Sequence, residues 1–229
     1  MKRPIRWLAA AYLAVLALWL IFGGVSLAKS AWYAHKGMKA QTELAWQDLT
    51  GVGVQELEGE EEGVWYVSTD TDPQLHWTAP NPEGVYLETV ELRVEQLTPG
   101  QAVVLYWKAP GQADFSAAQM VYAHKTSDGA YRFDLGGCVV SEIRLDPDSV
   151  GGVTTRFDGV TLNPAEGWYT AFVPTATGLV LGLLVPPVIV AVLWELWELW
   201  AVLEPEPFRE SARIARRKPR GGSAFKKEK

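Results

Sequence analysis

Two long apolar runs bracket a stretch whose hydrophobic and polar residues alternate. Residues 7–28 read WLAAAYLAVLALWLIFGGVSLA and carry no charge. About twenty apolar residues at 1.5 Å rise span a ~30 Å hydrocarbon layer, so this run predicts a transmembrane helix. Residues 171–194, AFVPTATGLVLGLLVPPVIVAVLW, are also charge-free and predict a second, with its span taken as 169–194. Pro186 and Pro187 lie inside it and remove two backbone donors. That predicts a kink accommodated by a neighbour, either the first helix or another protein.

Between the runs the period shortens. Val90, Leu92 and Val94 alternate with Glu91, Arg93 and Glu95, and Val139, Ile143 and Leu145 oppose Glu142 and Arg144. Period-2 alternation marks strands with one buried face and one wet face. Strands are expected at 53–58, 64–68, 74–77, 85–95, 102–107, 119–124, 130–134, 139–145 and 153–162, broken by Gly, Pro, Asp and Asn. Turn chemistry at 79–84 and at Thr98-Pro99-Gly100 separates them. Many short strands in about 110 residues indicate a mainly β fold, an antiparallel jelly roll or β-sandwich, flanked by two transmembrane α-helices. The expected organisation is 1–6 N-terminal flank, 7–28 first span, 29–50 helical connector, 51–165 sandwich, 169–194 second span, and 195–229 interfacial helix and basic tail.

Charge sharpens this organisation. Residues 29–168 hold nine Lys/Arg against twenty-one Asp/Glu, whereas the last twenty-six residues hold nine Lys/Arg against four Glu. An acidic middle excludes nucleic acid as a partner, because a phosphate backbone selects a cationic surface. The flanks 1–6 and 204–229 carry twelve Lys/Arg, against four in 29–48 and 150–168. The positive-inside rule then puts both termini in the cytoplasm and the sandwich outside. Trp168 and Tyr169 at one edge, and Trp194, Trp197 and Trp200 at the other, form the aromatic belt of an interfacial boundary. The first run has an alternative, a signal peptide cleaved after Ser26-Leu27-Ala28. Its length, with Trp7, Tyr12 and Trp19, favours an uncleaved signal-anchor. Glu195 and Glu198 lie one turn apart just past the second run. They read either as headgroup-level residues or, with Pro186 and Pro187, as contacts to a partner membrane protein.

Catalytic patterns are not found. His35, His76 and His124 lack zinc-ligand spacing, and no nucleophile elbow, P-loop or dinucleotide fingerprint occurs. The chain is therefore read as non-catalytic. Cys138 reads as a small buried residue of a strand start. Asp70, Asp72, Asp146 and Asp148 carry two readings. Beside Pro73 and Pro147 they cap turns, with Arg144 and Asp146 pairing at a strand end. Alternatively they are hard oxygen ligands for a structural Ca²⁺; no other cofactor is expected. The domain is rich in aromatics, and sugars stack their C–H faces on such rings. Tyr106, Trp77 and Tyr86 are the candidate stacking residues, Tyr106 because it falls on the opposite face from Val103, Leu105 and Trp107.

Three pieces carry a resemblance: STDTDPQLHW at 68–77; VLYW at 104–107 with FSAAQ at 115–119; and 143–162, from Ile-Arg-Leu-Asp-Pro through a Gly-Gly turn to Arg-Phe-Asp-Gly-Val-Thr-Leu. In this order they resemble the galactose-binding-like β-sandwich modules of bacterial membrane proteins linked to cell-surface polysaccharide synthesis, over residues 51–164. The Asp72-Pro73-Gln74 and Arg144-Leu145-Asp146-Pro147 pair is its most specific part. The resemblance implies carbohydrate binding or complex formation at the bacterial cytoplasmic membrane, as an accessory to a larger enzyme. The partners so implied are the bilayer, another membrane protein and a cell-surface glycan; the alternative is a self-associating membrane scaffold without a small ligand.

Overall fold

A computed structural model describes residues 2–57, 63–97 and 102–203. The basic tail and the Thr98-Pro99-Gly100 turn lie outside the described residues. The chain divides into two units, residues 1–21 with 173–229 and residues 22–172. The first element is helix α1 (Lys2–His35). It is followed by β1 (Thr42–Leu44), β2 (Thr50–Val52), β3 (Val54–Leu57), β4 (Val64–Ser68), β5 (Gln74–Thr78) and β6 (Val85–Gln96). Then come β7 (Val104–Lys108), β8 (Met120–Tyr122), β9 (His124–Lys125), β10 (Tyr131–Val140), β11 (Glu142–Asp146), β12 (Thr154–Leu162) and helix α2 (Ala176–Leu203).

The fold is mainly β: two antiparallel sheets pack face to face. Sheet I runs β3-β4-β12-β6-β10-β9, with β1 also paired to β12; sheet II runs β2-β5-β11-β7-β8. Leu75, Trp77, Leu105, Ile143 and Leu145 of sheet II meet Tyr66, Val90, Leu92, Phe133, Val140, Phe157 and Leu162 of sheet I. Burying each such side chain contributes roughly 1.5–3 kcal/mol, so this interior fixes which alternate residues of each strand remain outside.

The helical connector expected over 29–50 ends early. Gly37, at φ +71°, closes α1: its N–H bonds the Ala34 carbonyl and the Met38 N–H bonds that of Tyr33. This double closure around a left-handed glycine satisfies the last helical carbonyls. The chain beyond it pairs instead, Thr42–Leu44 lying against Leu162–Val160. The single strand expected at 139–145 is two. Val139 and Val140 finish β10 in sheet I, and β11 begins sheet II after a corner at Ser141. There the Ser141 N–H and hydroxyl both reach the Lys108 carbonyl.

In the second unit α1 continues past residue 21 onto sheet I. The Tyr33 ring stacks on Tyr86 at 4.3 Å, Lys29 Nζ donates to the Gly137 carbonyl at 2.7 Å, and Lys39 pairs with Glu88 and Ser30. Cys138 is packed against the core cluster, and burial pushes its thiol up to about 11.

Among the described residues, two helical segments are long and apolar enough to cross a membrane. α2 is helical through Pro186 and Pro187. In an α-helix the N–H of residue 187 would bond the carbonyl of residue 183, and proline has none. The Tyr12 hydroxyl of α1 donates to that Leu183 carbonyl at 2.9 Å, so a neighbouring helix supplies the donor the proline lacks. Tyr12→Phe is expected to cost about 1 kcal/mol, measured by detergent denaturation of the full chain. In a Pro187→Ala background the same change should cost close to nothing. Equal costs in both backgrounds would show that the hydroxyl does not serve that carbonyl.

Candidate functional site: the outer face of sheet II

The interior parity turns one row outward across four strand junctions, half-buried except at Thr50. Thr50, His76, Arg144, Tyr106 and Met120 are in register across β2, β5, β11, β7 and β8. Beside it lie Thr78, Glu142 and Lys108, and on the other side Val104 opposite Tyr122. Directly opposed residues share a face, so these side chains form one outward surface.

A chain of polar contacts crosses this surface. Lys108 pairs with Glu142, whose other oxygen lies 3.1 Å from His76 Nδ1. His76 Nε2 lies 2.9 Å from the Gln74 side-chain oxygen, and Gln74 Nε2 donates to Asp72 at 2.6 Å. Arg144 donates to Asp72 at 2.6 Å and to both oxygens of Asp146 at 2.7 Å. Asp72 orients the Gln74 amide, so its oxygen points at His76; both imidazole nitrogens then face acceptors. Burial by itself raises the Glu142 carboxyl, but Lys108 and His76 outweigh it and hold it below the usual carboxylate range. At Asp146 burial prevails over Arg144 and the carboxyl lies above that range.

Rings line the same face. The Arg144 guanidinium lies 5.1 Å from the Tyr106 ring centre, within cation–π range. The loop after β7 brings Phe115 over the surface, 4.6 Å from Lys108 Nζ and edge-on to His76 at 5.8 Å. Gln112 holds that loop, donating to the Asp114 carbonyl and to Gln119 at 2.6 Å each. Tyr122 is 62% exposed.

Among the stacking candidates, the structure brings Tyr106 to this face and removes the other two. Trp77 is in the core, because its strand neighbours His76 and Thr78 take the outward positions. Tyr86 is 1% exposed, covered by Tyr33 of α1. The four aspartates do not form a Ca²⁺ cage. Asp72 and Asp146 share Arg144, Asp70 accepts the Asp72 N–H, and Asp148 accepts those of Ser149 and Val150. Among the described residues no three His, Cys, Asp or Glu side chains are grouped to hold a metal. In the helical unit Pro186 is buried, Pro187 half-buried, and Glu195 and Glu198 are exposed. His76, Glu142, Lys108, Phe115 and Tyr122 were not among the sequence candidates. The Gln-Leu-His-Trp-Thr alternation of 74–78 was the signal available for His76.

The class so defined is a two-sheet β-sandwich accompanied by two long apolar helices. No family model and no curated protein matches the chain. Solved structures similar to it include a low-affinity xylan-binding module, CBM86, from Roseburia intestinalis, at 13% identity and TM-score 0.36 over 55% of this chain and 96% of that one. Another is a module of Clostridium stercorarium, CsCBM6-3, in complex with cellobiose, at 11% identity and TM-score 0.36 over 54% and 94%. A β-1,3-glucan-binding CBM6 from Bacillus halodurans matches at 10% identity and TM-score 0.34 over 56% and 97%. At these TM-scores the likeness decides nothing about what this chain binds.

Proposed function

We propose that the outer face of sheet II binds a glycan. The chain is then a non-catalytic accessory of the bacterial cell envelope, held in the cytoplasmic membrane by α1 and α2. Both termini are cytoplasmic, and the sandwich outside presents its ligand to, or docks on, a membrane protein of polysaccharide synthesis or transport. The observation that carries this reading is the combination on one rigid sheet of a hydrogen-bonded polar array with the rings of Tyr106 and Tyr122. Sugar hydroxyls both donate and accept, and a few fixed polar groups beside an apolar surface orient such ligands. Two cations, Lys108 and Arg144, stand against three carboxylates, Asp72, Glu142 and Asp146. That balance suits a neutral sugar better than a polyanion.

The detergent-solubilised full chain should retain neutral oligosaccharides on a glycan array, and Tyr122→Ala should weaken retention about tenfold, near 1.4 kcal/mol. No retained glycan, or an unaffected variant, overturns the reading. Sidedness is read by single cysteines at Ser127 and Ser223 in a Cys138→Ser background. An impermeant maleimide should label the first in intact cells and miss the second; the reverse pattern overturns the topology. A second reading, self-association without a ligand, draws on the exposed Trp197 and Trp200 rings, 5.9 Å apart on α2. A monomer in detergent counts against it.

A further inference from the structure

Away from sheet II, the second unit contains a groove of about 570 Å³. It is lined by the stretch of α1 that includes Ser30 and Ala31 and by the segment with Trp168, Thr170 and Ala171, among others. Both stretches border the charge-free runs in sequence: Ser30 lies just past residues 7–28 within α1, and Trp168 lies shortly before residues 171–194. If those runs span a bilayer, both stretches stand where the chain passes from acyl to headgroup level. Trp168, 73% exposed, is a residue suited to that level.

The lining sets four charged side chains, Lys39, Glu88, Asp134 and Glu166, among small and apolar residues. Lys39 bonds Ser30 and Glu88 at one side. An ammonium has three donors, so one remains for a further oxygen. Asp134 and Glu166 also line the groove, both paired to Arg132. Three carboxylates against two cations, Lys39 and Arg132, leave a net negative charge that opposes a net anionic headgroup. Carboxylate acceptors also favour an amine that carries N–H over a quaternary one that has none. A volume of this size is in the range of small-ligand sites and suits a headgroup rather than acyl chains.

We propose that this groove binds the headgroup of a zwitterionic, primary-amine phospholipid, its phosphate toward Lys39 and its ammonium toward Asp134 and Glu166. The inference rests on the two-pass membrane reading. The test is native mass spectrometry of the full chain released from micelles holding equimolar phosphatidylethanolamine, phosphatidylcholine and phosphatidylglycerol. Ethanolamine lipid should be retained about tenfold over the others. Asp134→Asn with Glu166→Gln should erase the preference, and Ala31→Trp, which fills the groove without changing charge, should remove the bound lipid. Melting curves by circular dichroism establish that each variant is folded. Equal retention of the three lipids, preference for the glycerol headgroup, or folded variants that behave as wild type would overturn the proposal. Carbonate extraction separates the two readings. A chain that stays in washed membranes without headgroup preference overturns the groove alone, and a chain released by carbonate overturns both.

Discussion

Arg144→Ala is expected to abolish glycan retention and to destabilise the sandwich by about 2 kcal/mol, a melting shift of roughly 5–10 °C in the detergent-solubilised chain. Arg144 holds Asp72 and Asp146 together and lies against the Tyr106 ring. Without it the buried Asp146 carboxyl keeps the burial that raises its pKa and loses the guanidinium that opposes this. The estimate stays below the 3–5 kcal/mol of a fully buried pair because Arg144 retains some solvent. The sign of the pH dependence follows. A group whose folded pKa is raised contributes stability that is present below its unfolded pKa and lost as pH rises through the folded value. The deficit of the variant relative to wild type should therefore be largest at neutral pH and narrow as pH falls through the carboxylate range. Glu142, held low by its partners, loses stabilisation on acidification. It does so in both proteins, so it leaves the difference unchanged. Adding Asp146→Asn should recover most of the loss and flatten the pH dependence. A deficit constant with pH would show that Asp146 is not its source.

Gly137→Ala is expected to cost more, about 3 kcal/mol. Gly137 has φ +81°, where a side chain costs roughly 1–2 kcal/mol. A Cβ there also collides with the Tyr86 hydroxyl. Tyr86 cannot retreat easily, since its ring is buried and stacked on Tyr33. Overpacking of such a site adds a further 1–3 kcal/mol. Burial, then Glu88, pushes the Tyr86 phenol up to about 12, so the clash is with a neutral hydroxyl at any ordinary pH. Tyr86→Phe removes the colliding oxygen and should recover at least about 1 kcal/mol in the double variant, read as a non-additive shift in melting. Tryptic cleavage after Lys36 should also quicken in Gly137→Ala, because displacing Tyr86 loosens the helix end it supports. Strict additivity would show that the collision is relieved elsewhere.

Much of the sandwich was legible because strand period is a local property. The alternation around Val90, Leu92 and Leu105 identifies inward faces without knowledge of a partner strand, and Tyr106 was placed outside on that ground. Arg144 and Asp146 are two apart on one strand, so their pairing could also be read locally. Tyr86 could not. It is buried next to the equally buried Leu87 because that part of sheet I is covered on both sides, by the core and by α1. Alternation fails where both faces of a strand are occupied. The corner at Ser141 was hidden for a related reason: the residues on either side are strand-like, and the change of sheet lies in their partners.

By itself the sequence determined the two apolar runs, the mainly β middle and the asymmetry of charge, since each depends on composition or on neighbours along the chain. Only the tertiary structure decided that Arg144 reaches Asp72, 72 residues away in sequence, while also holding Asp146. It alone aligned Lys108, Glu142, His76 and Gln74 into one array, and matched Tyr12 to the carbonyl that Pro187 leaves without a donor. These contacts are set by strand register and helix packing. Register in turn follows from burying whole faces at once, a condition that no single stretch of the chain contains.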